Sequence, residues 1–306
     1  MRLFLLLALL VATGCASSLS SLQTAKPLAP GQFQVSGGMG VFVPAGQLTV
    51  LAEQGIRQGR AIYDAVQAEQ PYALSEADAV TLLTAGAALA VAPPGTNNEL
   101  MVRGGLVDNV DLGLRLTTNS VRLDGKWRLA HSGTASPALR EHERTSLDLA
   151  IGLGVSRHLF KSPVLDALQV VKIDDFSRYD VEVPLYLSLD LGDIFKAYAV
   201  PKYVFSHTRM DEKLVDFSQE GKDVTGFDVV LPARVNSHFA GATLGVALGY
   251  KYVHVYAELT AGYTHSRPLF FGQERDLGGV TLYPAIGIAI KNLAPELSQG
   301  VMEAGE

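Results

Sequence analysis

The chain of 306 residues has a single cysteine, Cys15, so no disulfide can form within it and the fold must rest on hydrogen bonds and packing. It has no basic cluster: 25 Lys and Arg face 31 Asp and Glu, a formal charge of −6, which argues against a nucleic-acid partner. Beyond the first fifteen residues no apolar run approaches the roughly 18 residues of a spanning helix. The seven histidines are scattered, and His142 sits between Glu141 and Glu143 in a polar stretch where solvation is the default. No metal and no other cofactor is expected.

What is present instead is a period of two. Leu112, Leu114 and Leu116 alternate with Asp111, Gly113 and Arg115; Val121, Leu123, Trp127 and Leu129 alternate with Arg122, Asp124, Lys126 and Arg128. Such alternation is the mark of β-strand. The contrast between faces, one nearly all Leu, Val and Trp and the other charged, exceeds what a soluble sandwich needs. It suits a wall with lipid on one side and a polar lumen on the other, repeated in segments of about ten residues. The same pattern recurs at 147–155, 179–191, 237–250, 252–265 and 279–291, and a first strand starts at Gly31 with the small inner face Ser36, Gly38 and Gly40. Residues 197–208 are apolar on both faces, and Lys202 marks the inward one. A hydrophobic content of 48% without a long apolar run fits a barrel that spreads its lipid-facing residues over alternate positions.

The start of the chain, MRLFLLLALLVATGC, places one positive charge before an apolar run and ends in small residues, as a secretory signal peptide does. Ala12, Thr13, Gly14 and Cys15 resemble the lipobox of bacterial lipoproteins, with Ala12 where leucine is usual. The resemblance implies acylation of Cys15 as the first mature residue, and Ala16 after it favours the outer membrane. Residues 15–30 then read as a flexible lipidated tether.

Taken together, the strands resemble those of bacterial outer-membrane β-barrel proteins over residues 31–291. The expected fold is all-β: an antiparallel transmembrane barrel of about 10 strands, within a range of 8–12. A two-helix insertion at 46–92 separates strands one and two, and an acidic, disordered tail covers 292–306. Connections at 107–109, 192–196 and 251 are short and fall on the side of the termini. Those at 44–97, 158–178, 209–236 and 266–278 are long and fall opposite, the asymmetry of outer-membrane barrels. The connections at 118–119 and 131–144 depart from it. The partners implied are membrane lipid and the barrel-assembly and lipoprotein-sorting machineries, with the location the bacterial outer membrane, anchored on the periplasmic side.

Inside the barrel, the charges expected to line the lumen are Asp111, Arg115, Arg122, Asp124, Lys126, Arg128, Asp148, Asp180, Glu182 and Glu258. They either form an ion pathway or, in a narrow barrel, pair across strands. The second helix of the insertion, starting at Ser75 with Asp78 in capping-box position, is apolar nearly all round. Its Leu82, Leu83, Leu89 and Val91 are plug candidates, directed at the small inner faces of the first and last strands (Gly38, Gly40, Ala285, Gly287); the alternative is a helical hairpin resting on the outer rim. No enzymatic activity is expected. Ser156 and His158 alone have the i, i+2 spacing that would put a serine and a histidine on one barrel face. The leading functional expectation is a transport or pore-like barrel for an unknown small solute. The alternatives are a structural or surface-interaction barrel and, third, a lipid-modifying enzyme.

Overall fold

The computed structural model describes residues 18–68, 92–133, 145–159, 176–192, 194–210, 234–250, 252–270 and 273–292, with isolated positions between 75 and 89. The wall consists of β1 (Phe33–Phe42), β2 (Gly95–Val107), β3 (Val110–Thr117), β4 (Ser120–Gly133), β5 (Thr145–His158), β6 (Phe176–Leu191), β7 (Phe195–Met210), β8 (Arg234–Tyr250), β9 (Val253–Ser266) and β12 (Gly279–Lys291). A small hairpin, β10 (Leu269–Phe270) with β11 (Gln273–Glu274), lies between the last two, and helix α1 (Ala45–Gln67) follows β1. Each wall strand pairs antiparallel with its chain neighbour, and β1 closes the ring by pairing with both β2 and β12, with Gly38 opposite Gly287 and Glu99. The fold is thus the expected closed antiparallel barrel of ten strands.

Alternation sets the orientation of every side chain. On β6 the outward set Val181, Val183, Leu185, Leu187, Leu189 and Leu191 is exposed, whereas Asp180, Glu182, Tyr186, Ser188 and Asp190 are buried inside. Trp127 and Tyr250 also face outward near the terminus-side rim, Tyr179 and Tyr263 near the opposite one. A face of this kind is stable only against hydrocarbon, since exposing so much contiguous apolar surface to water is strongly unfavourable. We expect Leu114→Arg, which puts a charge on that face, to cost about 2–4 kcal/mol near the bilayer midplane. Folding titrations into lipid vesicles measure this, and an undiminished stability would contradict the register.

Tight turns link strands on the terminus side. Asn109 takes a left-handed φ of 69° between β2 and β3, a conformation that asparagine tolerates because its side chain bonds locally. Arg128 donates to the Asn109 side-chain oxygen and tightens the same corner. On β4 the register slips between Arg128 and Ala130, a bulge that strict period two does not foresee.

The insertion departs in part from expectation. Helix α1 has no buried residue, and Ile56, Tyr63 and Val66 are exposed, so it stands off the barrel. At its base Gln47 donates to the carbonyls of Leu277 (2.8 Å) and Gly278 (2.6 Å), and Gly46 packs closely on Gly279. Ser75 and Asp78 do form the expected cap: the Asp78 N–H donates to Ser75 Oγ at 3.2 Å and the hydroxyl donates back at 2.6 Å. That hydroxyl hydrogen bond, ahead of the Arg57 charge, holds the Asp78 carboxyl below the usual range. Most of the expected second helix, including Leu82, Leu83 and Val91, lies outside the described residues, as do the expected signal peptide, Cys15 and residues 293–306.

Candidate functional site

The lumen is lined by charge and filled by the chain's own N-terminal segment. Residues 18–30 are not a free tether: Leu19, Ser20, Ser21, Leu22, Gln23, Thr24, Ala25 and Leu28 are all buried. The segment enters beside β2, where Gly31 (φ 75°) turns the chain into the wall and donates to the Gly105 carbonyl at 3.1 Å. From there it runs towards the rim with the long connections, ending at Ser18 beside Glu99 and Tyr283. A segment this short and polar shows no periodicity, so composition alone makes it look like a linker.

The wall grips it mainly by its backbone. Arg115 donates to the carbonyls of Ser20 (2.8 Å) and Ser21 (3.0 Å), and Lys126 to that of Thr24 (2.9 Å). Lys202 and Thr260 donate to the Leu19 carbonyl. In the other direction, the N–H groups of Ser21 and Leu22 donate to the two oxygens of Glu258 at 2.7 and 2.9 Å, that of Ala25 to Ser188 Oγ, and that of Leu28 to Asp111. A segment placed away from any sheet edge has no ladder to satisfy its amides, and here mostly charged side chains do so instead.

Shape complements this polarity. A Cβ on Gly38 would fall 2.4 Å from a Leu22 methyl, and one on Gly287 2.7 Å from it, so the two glycines form the socket that Leu22 fills. Gly40 is covered by the Tyr283 ring. The small inner faces of the first and last strands do receive an apolar occupant, but it is Leu22 and Tyr283. Among the four plug candidates, Leu89 is the one described, and it is half-buried. Ala92, at the end of the insertion, packs on Leu19, Phe42, Val204, Phe239, Tyr283 and Ala285, so the insertion touches the mouth while the N-terminal segment occupies the interior.

Every lumen charge expected from the sequence faces inward; nine are buried and Arg128 is half-buried. All but Glu258, which accepts from the segment and from Tyr198, are paired. Arg103 bridges Asp111 and Asp124, Arg122 meets Glu182, and Lys126 lies 3.3 Å from Asp111. Arg115 lies 3.2 Å from Glu99, and Arg128 and His131 lie 3.5 and 2.7 Å from Asp148. Glu99, Arg103, Arg178 and Lys196 belong to the same lining although the sequence reading did not include them, and Lys202 faces inward as expected. The first two were legible: Leu100 and Val102 point out, so the odd-numbered residues of β2 must point in.

Ser156 and His158 do share the inner face. His158 Nε2 lies 3.0 Å from Asp180, which also accepts from Arg178 Nε at 2.9 Å, and Arg178 reaches Ser206. The cavity beside Ser156, bounded by Ser18, Arg115, Arg122, Asp180 and Glu182, measures about 20 Å³. That is room for one water, not for a lipid. A second cavity of about 60 Å³ lies under the long connections between Leu19, Phe42, Ala92, Phe239 and Leu277. Among the described residues no group of His, Cys, Asp or Glu could hold a metal ion.

A closed antiparallel barrel with apolar residues outside and charges inside defines the class: a membrane-spanning β-barrel of the outer-membrane type. No family model matches the chain, and no curated protein does. Among solved structures it is similar to Neisserial surface protein A, at 10% identity and a TM-score of 0.28 over 85% of this chain and 95% of that one. It is similar likewise to Ail, the attachment invasion locus protein of Yersinia pestis, at 10% identity and a TM-score of 0.26 over 86% and 99%. A third is outer membrane phospholipase A from Escherichia coli, at 11% identity and a TM-score of 0.24 over 88% and 99%. At these values the similarities carry no conclusion about this chain, whose architecture rests on its own strands.

Proposed function

We propose that the protein is an outer-membrane barrel with a gated, pore-like transport role, closed while residues 18–29 fill its lumen. The observation that carries this is the way the segment is held. Its backbone is bonded by wall side chains, while the wall closes without it, so the segment is a removable part and not a stave of the barrel. Once it is withdrawn, a channel lined by Glu99, Arg115, Lys126, Lys202 and Glu258 would fill with water, because such groups cannot face a dry void. The reading includes no catalytic step.

Acylation of Cys15 belongs to the same proposal. Cys15 lies three residues before Ser18, a reach of at most about 11 Å. Glu99, beside Ser18, is eight residues from the terminus-side end of β2, roughly 26 Å along the strand. A lipid on Cys15 therefore cannot anchor in the periplasmic leaflet while the segment is threaded. Periplasmic anchoring goes with the withdrawn, open state.

Single-channel recording in planar bilayers tests the proposal. The full chain should be almost silent, and a chain lacking residues 18–29 should show discrete conductance steps. A correctly folded, heat-modifiable barrel that stays silent without the segment would overturn the transport role. It would favour the second reading, a surface-interaction barrel that displays its long connections.

A further inference from the structure

The outer face of the barrel changes character along β5–β9. Towards the termini the outward residues are Leu147, Leu191, Tyr250 and Tyr252; at the opposite ends of these strands they are Arg157, His207, Arg209, Arg234, His238 and His265. The acids of these strands, Asp148, Asp180, Glu182, Asp190 and Glu258, all point into the lumen. Among the described residues, the outward ends of these strands on the side of the long connections are therefore cationic, with no acid on the same face. Within that rim Arg209 and Arg234 are directly opposite each other in the β7–β8 ladder, and both are exposed. Like charges in that relation are destabilising unless an anion lies between them. Arg157, Arg209 and Arg234 form no ion pair among the described residues.

The neighbours orient these guanidinium groups. Arg209 Nε donates to His207 Nε2 at 3.1 Å, which leaves the His207 proton on Nδ1, 2.6 Å from Asn236 Oδ1. His207 thus positions Arg209. Arg157 lies 5.7 Å over the Tyr179 ring, and Tyr203 OH meets His238 at 2.5 Å. Aromatic groups with a polar end mark the level where hydrocarbon gives way to headgroups. A row of arginines at that depth, set above apolar strands, complements phosphate groups held at the membrane surface, which arginine grips bidentately.

We propose that Arg157, Arg209 and Arg234 form a binding site for the phosphates of a lipid headgroup in the leaflet on the side of the long connections. The site is independent of the lumen and of any gating. It selects phosphorylated lipid over neutral lipid and fixes one side of the barrel against that leaflet.

The test is native mass spectrometry of the full chain, extracted in neutral detergent and incubated with lipid A carrying both phosphates, with lipid A stripped of them, or with inorganic phosphate as competitor. The intact chain should retain the phosphorylated form at least about tenfold better than the stripped form. Arg157→Gln, Arg209→Gln and Arg234→Gln combined should abolish the preference, whereas the three Arg→Lys changes should keep part of it. Should the combined Gln variant fail to fold, Arg209→Gln alone should still lower retention. Equal retention of both lipids, unchanged retention by a folded Gln variant, or displacement by equimolar inorganic phosphate would each overturn the proposal.

Discussion

Asp111→Leu should destabilise the barrel by about 3–5 kcal/mol, the range seen when one member of a buried ion pair is removed and the other left behind. Asp111 is fully buried and has three partners: Arg103, Lys126 at 3.3 Å, and the Leu28 N–H at 3.2 Å. Leucine removes the one carboxylate that Arg103 and Lys126 share: Asp124 can still answer Arg103, while Lys126 keeps only uncharged oxygens, the Thr24 and Lys26 carbonyls and the Gln23 side chain. The contrast is a variant that removes the knot together, Arg103→Met and Lys126→Met with Asp111→Leu and Asp124→Leu. Its loss should be well below the sum of the single changes, since no unpaired charge at Arg103 remains. Urea unfolding in lipid vesicles, followed by the gel shift of the folded barrel, reads both. A single variant as stable as the parent would show that these charges are hydrated and not paired.

Glu258→Leu should act on the segment and leave the wall in place. Its carboxylate accepts from the Ser21 and Leu22 amides and from Tyr198 OH at 2.9 Å. A hydrogen bond to a charged group contributes about 1.5–3 kcal/mol, so losing both amide contacts should weaken the threaded state by about 3 kcal/mol or more. That corresponds to roughly a hundredfold rise in the exposed population. Hydrogen exchange of the Ser20–Ala25 amides should accelerate by that order, with the amides of β5–β7 unchanged. Faster exchange in both sets would mean that Glu258 supports the barrel as a whole, and no change in either would mean that the segment is held by other contacts.

The barrel was legible because it is written in a repeated pattern. Period two alone orients Asp111, Arg115, Asp180 and Glu258 inward, and Trp127, Tyr179 and Tyr250 outward. Pairing of the charges followed from the narrowness of a ten-stranded wall. The occupant of the lumen was not legible. Residues 18–30 are recognised through carbonyl and N–H groups, which every sequence has, so Ser20 and Ser21 carry no mark of the arginine and glutamate that hold them. The socket gave half the answer: Gly38 and Gly287 indicate that something apolar sits over them, yet glycine cannot specify which residue. Leu82 and Leu22 are equally good candidates by composition. Topology favoured the long insertion, whereas the shorter path from Pro30 into the mouth settles the matter in favour of Leu22.

The central claim, that the N-terminal segment threads the lumen, is tested most directly by a cross-link. In a Cys15→Ser background, Ala25→Cys with Ser188→Cys joins two positions whose atoms now meet at 3.1 Å, and Thr243→Cys with Thr260→Cys serves as a wall control, its hydroxyls 2.6 Å apart. In intact membranes under oxidising conditions both pairs should form disulfides, seen as mobility shifts reversed by reductant. A control pair that cross-links while the Ala25–Ser188 pair remains reduced would contradict the threaded lumen.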